Sequence, residues 1–220
     1  MNRKLAVGGN AADDSNTTAP EISEVTGGPG SLIPWSKQTR EASRWLREVL
    51  TPEQITEVMG EPAKQPIRVY ASLQSAATEQ ERAELLLAEI DRTGALDRSV
   101  FAIFSATGSG YVNYVASETL EYPDPRRLRF GMHPVLGAAF GAVLNRVHMG
   151  TRQTKMVVNG IIERLWHVRL KRPKFVLFGE PRLTGQPGDV PRRGITGPAG
   201  IALDAAVWIG TPNATKWRDE

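Results

Sequence analysis

The chain has 220 residues, 40% of them hydrophobic, which suffices for one continuous core and is too little for two, so a single domain is expected. Its net charge of +3 comes from 27 basic residues interleaved with 24 acidic ones, the pattern of a solvated surface and not of a nucleic-acid face. The absence of cysteine excludes disulfides, thiol catalysis and cysteine metal sites, and His133, His148 and His167 show neither HExxH nor HxH spacing, so no metal and no cofactor is expected.

Residues 1–30 are rich in Gly, Asn, Asp, Ser and Thr with almost nothing large and apolar to bury, which predicts a flexible tail followed by a domain over 31–220. No signal-peptide run follows Arg3 and Lys4, and no window approaches about 18 uninterrupted apolar residues, so the expectation is a soluble, cytoplasmic chain. In that setting the sequons at Asn16 and Asn213 are chance matches. Trp45, Leu46, Val49 and Leu50 have the spacing of a short amphipathic helix. Thr51-Pro-Glu-Gln54 then opens a second helix, with Thr51 as cap, Pro52 at the first helical position and Gly60 beyond the end. Ile67–Ala71 reads as the first strand. After the loop Ser72–Thr78, a second capping box, Thr78-Glu-Gln-Glu81, starts a helix that buries Leu85, Leu86 and Ile90 and stops at Gly94. Val100–Ser105, an unbroken apolar run, reads as a strand covered on both faces and completes a βαβ unit.

Next comes Ala106-Thr-Gly-Ser-Gly-Tyr111, a turn of small residues at the place where open α/β sheets bind ligands. Its glycines would let backbone N–H groups approach an oxygen; an ordinary tight turn explains them equally. Arg126, Arg127 and Arg129 follow, read as a solvated basic loop with phosphate binding as the alternative, and Pro134–His148 suits a buried helix or part of a cap. Val157, Ile161 and Leu165, with Val158, Ile162 and Trp166, mark a helix over 151–170. His167 lies near its C-terminal end, where the dipole favours a cation. Phe175–Phe178 is a buried strand that stops at Gly179, residues 185–200 are loop, and Leu203–Ile209 is the last strand.

Five motifs stand in order: Pro66-Ile-Arg-Val-Tyr70 with Leu73 and Ser75; Asp91–Ser99; Thr107-Gly-Ser-Gly-Tyr111 with Glu121-Tyr122; Arg172–Glu180; and Ala205–Pro212 with Trp217. Together they resemble the catalytic domain of a bacterial α/β-hydrolase family whose typical members join it to an N-terminal multi-span membrane region. The resemblance covers residues 40–220. It implies an α/β fold with an open, mostly parallel sheet of about four strands flanked by helices. Strand 100–105 would take the place of β4, 67–71 of β3, 174–178 of β5 and 205–209 of β6, in the spatial order 4-3-5-6. The loop with Leu73 and Gln74 would then supply an oxyanion-hole N–H, and Thr107, Gly108, Ser109 and Gly110 would rim the same crevice.

The strand at 174–178 should lead into the nucleophile elbow Gly-x-Ser-x-Gly, but the chain reads Gly179-Glu180-Pro181, and Gly185 falls four residues beyond the serine's place. The nearest hydroxyl, Thr184, is three positions out of register. The acid and the histidine of this fold follow later strands, so neither is expected here, and no membrane region is expected either. Two readings follow. The favoured one is a truncated, catalytically incomplete relative, a pseudoenzyme with at most a binding or interaction role. The alternative is an active serine esterase with Ser105 or Ser109 as nucleophile and His133 or His167 as base, since triads are defined by geometry and not by position. A sheet ending at 205–209 would leave an apolar edge, so self-association, or β-augmentation by a partner, is expected there. Membrane association would require a partner that supplies the missing region.

Overall fold

Four side-chain caps set where the helices begin. Thr39, Thr51, Thr78 and Asn113 accept from the backbone N–H of Ala42, Gln54, Glu81 and Ala116, and Gln54 and Glu81 return the bond to Thr51 and Thr78 in two complete capping boxes. Gly60 and Gly94 end their helices in the left-handed region, at φ 73° and 64°. The computed structural model describes residues 18–106, 110–122, 138–144, 150–167, 172–179 and 204–208. Its elements are α1 (Arg40–Arg47), α2 (Pro52–Met59), β1 (Ile67–Ala71), α3 (Glu79–Thr93), β2 (Val100–Ala106), α4 (Tyr114–Glu121), β3 (Ala138–Leu144), α5 (Gly150–His167), β4 (Lys174–Gly179) and β5 (Ala205–Trp208).

The five strands form one parallel sheet in the order β1-β3-β2-β4-β5. Parallel pairing demands cover on both faces, which is why β1 is buried at all five positions. Ile67, Val69, Phe101, Ile103, Phe175 and Leu177 pack under Leu86 and Ile90 of α3 and Val157, Ile161 and Leu165 of α5. On the other face Tyr70, Ala102 and Phe104 meet Trp45 and Leu46 of α1 and Val112. The expected α/β class with a parallel sheet and flanking helices is thus present.

Two expectations about the sheet are corrected. Residues 138–144 form a strand and not a helix or cap: a seven-residue apolar run has no period that separates a buried strand from a buried helix. This strand enters between 67–71 and 100–106, so 67–71 lies at the edge and not between 100–105 and 174–178. The spatial pattern 4-3-5-6 survives with its members shifted, 138–144 standing in the place of β4 and 100–106 in that of β3.

A third correction concerns the N-terminus. The expected tail boundary at residue 30 does not hold for the described residues from 18 onward, since Val25 and Thr26 are fully buried. The segment closes the outer edge of β1: Arg68 N–H donates to Glu24 O (3.1 Å), Thr26 N–H to Arg68 O (3.0 Å) and Tyr70 N–H to Thr26 Oγ1 (3.1 Å). Further along, Gln38 Nε2 donates to Tyr70 O (3.3 Å) and Ser72 N–H to Ser75 Oγ (3.0 Å). An edge that would invite another strand is satisfied from within the chain.

Helices α3 and α5 touch where Gly160 faces Leu87; a Cβ built on Gly160 would lie 2.4 Å from Leu87 Cδ1. Gly160→Val is therefore expected to cost about 1–3 kcal/mol through overpacking, read as a lower urea midpoint. A midpoint equal to that of the wild type would mean that the Leu87 side chain turns aside without cost.

Candidate functional site

In the sheet order, β2 leads to β3 on one side and β4 leads to β5 on the other. The chain therefore leaves the C-terminal ends of β2 and β4 in opposite directions, which opens the crevice where sheets of this kind bind ligands. The two strands are paired up to Phe104 and Phe178, whose rings stand 5.0 Å apart. One residue further lie Ser105, paired with Val143 of β3, and Gly179, paired with Trp208 of β5. Strand pairing thus brings the ends of the two strands that lead into the segments the motifs singled out, Ser105 and Gly179, to one strand spacing, about 4.8 Å. Thr107, Gly108 and Ser109, like Glu180, Pro181 and Thr184, lie outside the described residues.

The turn returns to view at Gly110, whose φ of 90° suits glycine alone. Its carbonyl accepts from the Tyr70 hydroxyl at 3.0 Å. Tyr70 is fully buried, and burial holds its phenol protonated far above the usual range, so this donor is present at every physiological pH. Asn113 then caps α4. Tyr70 reaches the turn from the sheet edge, a link that its sequence position did not announce.

Leu73 and Gln74 do not share this crevice. Their turn follows β1, and β3 and β2 stand between it and β4, so three spacings, about 14 Å, separate the two. Gln74 N–H is already committed to Ser72 Oγ (3.2 Å), and the Ser72 hydroxyl donates to Lys37 O. The loop adjoining the elbow strand is the one after β2, a consequence of the shift in strand order.

The candidate bases separate as well. Helix α5 runs from the C-terminal end of β3 back to the start of β4, so His167 at its last turn sits at the opposite end of the sheet. Eighteen helical residues put about 27 Å between the two ends of α5. His133 and His148 lie outside the described residues.

Away from the crevice, against the edge strand β1, α4 is fastened by a polar seam. Arg68 Nε donates to Glu121 Oε1 (2.7 Å) and Arg68 Nη1 to Trp45 O (2.5 Å), while its guanidinium lies 5.0 Å from the centroid of the Trp45 ring. Glu121 Oε2 accepts from Leu50 N–H (3.1 Å), and Trp45 Nε1 donates to Ser117 Oγ (3.0 Å). Both charged side chains are sealed from solvent. Burial pushes the Glu121 carboxyl above its ordinary value, and Arg68 pulls it partway back. The sequence signal for this seam was an arginine inside an otherwise apolar strand.

Among the described residues no helix is long and apolar enough to cross a membrane. No curated protein and no solved structure matches the chain. Residues 67–220, from the first residue of β1 onward, match the family model described as the alpha/beta-hydrolase family. That span is well over half of the chain and contains the parallel sheet with its switch point, and the protein belongs to the alpha/beta-hydrolase family.

Proposed function

We propose that this α/β-hydrolase domain does not turn over esters and acts as a binding domain, its ligand entering the crevice between the ends of β2 and β4. Pro181 carries the reading. It stands two residues beyond Gly179, where the elbow serine belongs, and β4 is the strand that the elbow should follow. Proline has no nucleophilic atom, and a φ fixed near about −65° is incompatible with the strained elbow. The position of His167 at the far end of α5 adds to this, since it removes one base from reach. The experiment is turnover of short-chain aryl esters by the purified chain; the expectation is a rate no higher than buffer.

One placement favours the other reading, a serine esterase: Ser105 lies on β2 at the switch point, next to β4. Against it, Pro181→Ser should not restore turnover, because a serine without its base keeps only what the oxyanion hole and binding supply. A Pro181→Ser variant with esterase rates would show a base at the crevice and overturn the proposal.

Association belongs to the same proposal. The outer edge of β1 is satisfied within the chain, whereas β5 has no second partner strand among the described residues. Self-pairing or β-augmentation is therefore assigned to β5. Sedimentation should show concentration-dependent dimers that Val207→Lys abolishes; a monomer at every concentration would contradict it.

A further inference from the structure

Four charged side chains are buried among the described residues: Arg68, Arg82, Glu89 and Glu121. Three of them have a counter-ion, Arg68 with Glu121 and Glu89 with Arg92. Arg82, 4% exposed, has no carboxylate partner among the described residues. Its Nη1 donates to two carbonyls of the preceding loop, Ala76 O (2.9 Å) and Ala77 O (3.3 Å), and its buried Nε has no acceptor among the described residues.

The location makes the unpaired charge costlier. Arg82 is in the first turn of α3, a fifteen-residue helix, where the dipole repels a cation. Its bonds to residues 76 and 77 hold the guanidinium ahead of the helix N-terminus, in the position that anions occupy at such ends. The carboxylates of this turn, Glu79 and Glu81, do not fill that position: Glu81 is exposed, accepts from Thr78 N–H at 2.9 Å and acts on Arg82 only through space, without a hydrogen bond to its guanidinium. The loop bonded to Arg82 lies at the surface, with Gln74 and Ala77 exposed and Ser75 and Ala76 half-buried.

We infer that Arg82, the first turn of α3 and the loop Ser72–Ala77 form a subsite for a phosphate-class oxyanion, separate from the crevice between β2 and β4. The anion would receive the unpartnered Nε–H, neutralise the buried guanidinium and meet the positive end of α3. A phosphate group fits these needs whether free in solution or carried on an organic phosphomonoester.

The test is calorimetric titration of the full chain with inorganic phosphate and, separately, with methyl phosphate, alongside melting curves in phosphate and in chloride at equal ionic strength. The wild type should bind one equivalent of inorganic phosphate and melt higher in phosphate than in chloride. Binding of methyl phosphate alone would assign the subsite to a phosphomonoester. Arg82→Lys, which keeps the charge without the planar fork, should bind about tenfold more weakly or worse. Arg82→Met should melt at or above the wild type in chloride, because a buried cation without a hydrogen-bonded carboxylate has been removed, and should not respond to phosphate. Absence of saturable binding of both anions to the wild type would overturn the inference, even if Arg82→Met failed to fold. Equal phosphate responses in wild type and Arg82→Met would overturn it too.

Discussion

Arg68→Ala is expected to cost about 3–5 kcal/mol, a large part of the about 5–15 kcal/mol that holds a domain together. The substitution leaves the Glu121 carboxylate sealed in the core without its counter-ion. It also removes the guanidinium from the Trp45 ring and the donor from Trp45 O. Since Glu121 ends α4 and Trp45 belongs to α1, the loss should loosen the layer that covers Tyr70 and Phe104. Urea unfolding measures it. The pair Arg68→Met with Glu121→Leu should recover most of the loss, because two apolar side chains replace a buried ion pair without leaving a lone charge. A single-variant cost below about 1 kcal/mol would mean that water reaches the pair.

The same carboxyl sets a pH signature. Burial raises Glu121 above the ordinary glutamate value of 4.5, so the folded state holds this proton more tightly than the unfolded chain. Its contribution is fully present below 4.5 and is lost as pH rises through the raised value. Glu81 has the opposite sign: the N–H of Thr78 lowers its pKa, and the stabilisation it lends above the ordinary range is lost as pH falls. Unfolding free energies of the wild type and Glu121→Gln, compared upward from pH 4.5, should differ in slope, the wild type falling more steeply; parallel profiles would contradict a raised Glu121.

Glu89→Ala is the second large effect, expected at about 3 kcal/mol or more. This buried carboxylate accepts from Leu32 N–H (2.5 Å), Ser31 Oγ (3.2 Å), Thr26 Oγ1 (3.3 Å) and Arg92 Nε and Nη2 (3.0 and 2.9 Å). Three of its four partners are in the N-terminal segment and the fourth, Arg92, is on α3, so its loss should free the segment that closes β1. Hydrogen exchange is the reading: the amides of Thr26, Leu32 and Arg68 should lose protection well before those of β2. Unchanged protection at Thr26 would show that the segment holds on apolar contacts alone.

The uneven legibility of the fold has physical causes. Capping chemistry is local, so Thr51 and Thr78 with their glutamine and glutamate partners, and Gly60 and Gly94 at the ends, could be read directly. Residues 24–33 could not. They bury few large apolar groups, and they are ordered by polar bonds to Glu89 and to the edge of β1, partners far away in sequence. Strand 138–144 failed for another reason, since Ala, Gly, Phe and Val in a short run satisfy either geometry. Without that strand 67–71 counts as an inner strand, and the oxyanion-hole role falls on Leu73 and Gln74. The crevice itself was half legible: small residues after 105 and the stop at Gly179 marked both strand ends, whereas their adjacency depended on the sheet order. Arg82 gave no signal, for an arginine near a helix start reads as surface until its burial is known.

The central claim, that the domain has lost its nucleophile at Pro181, is tested most directly by treating the purified chain with a fluorophosphonate probe and mapping any label by peptide mass spectrometry. The account predicts no stoichiometric labelling of any serine, in the wild type at pH 7 to 8 and after prolonged exposure. Stoichiometric adducts on Ser105 or Ser109 would contradict it and establish a nucleophile at the end of β2.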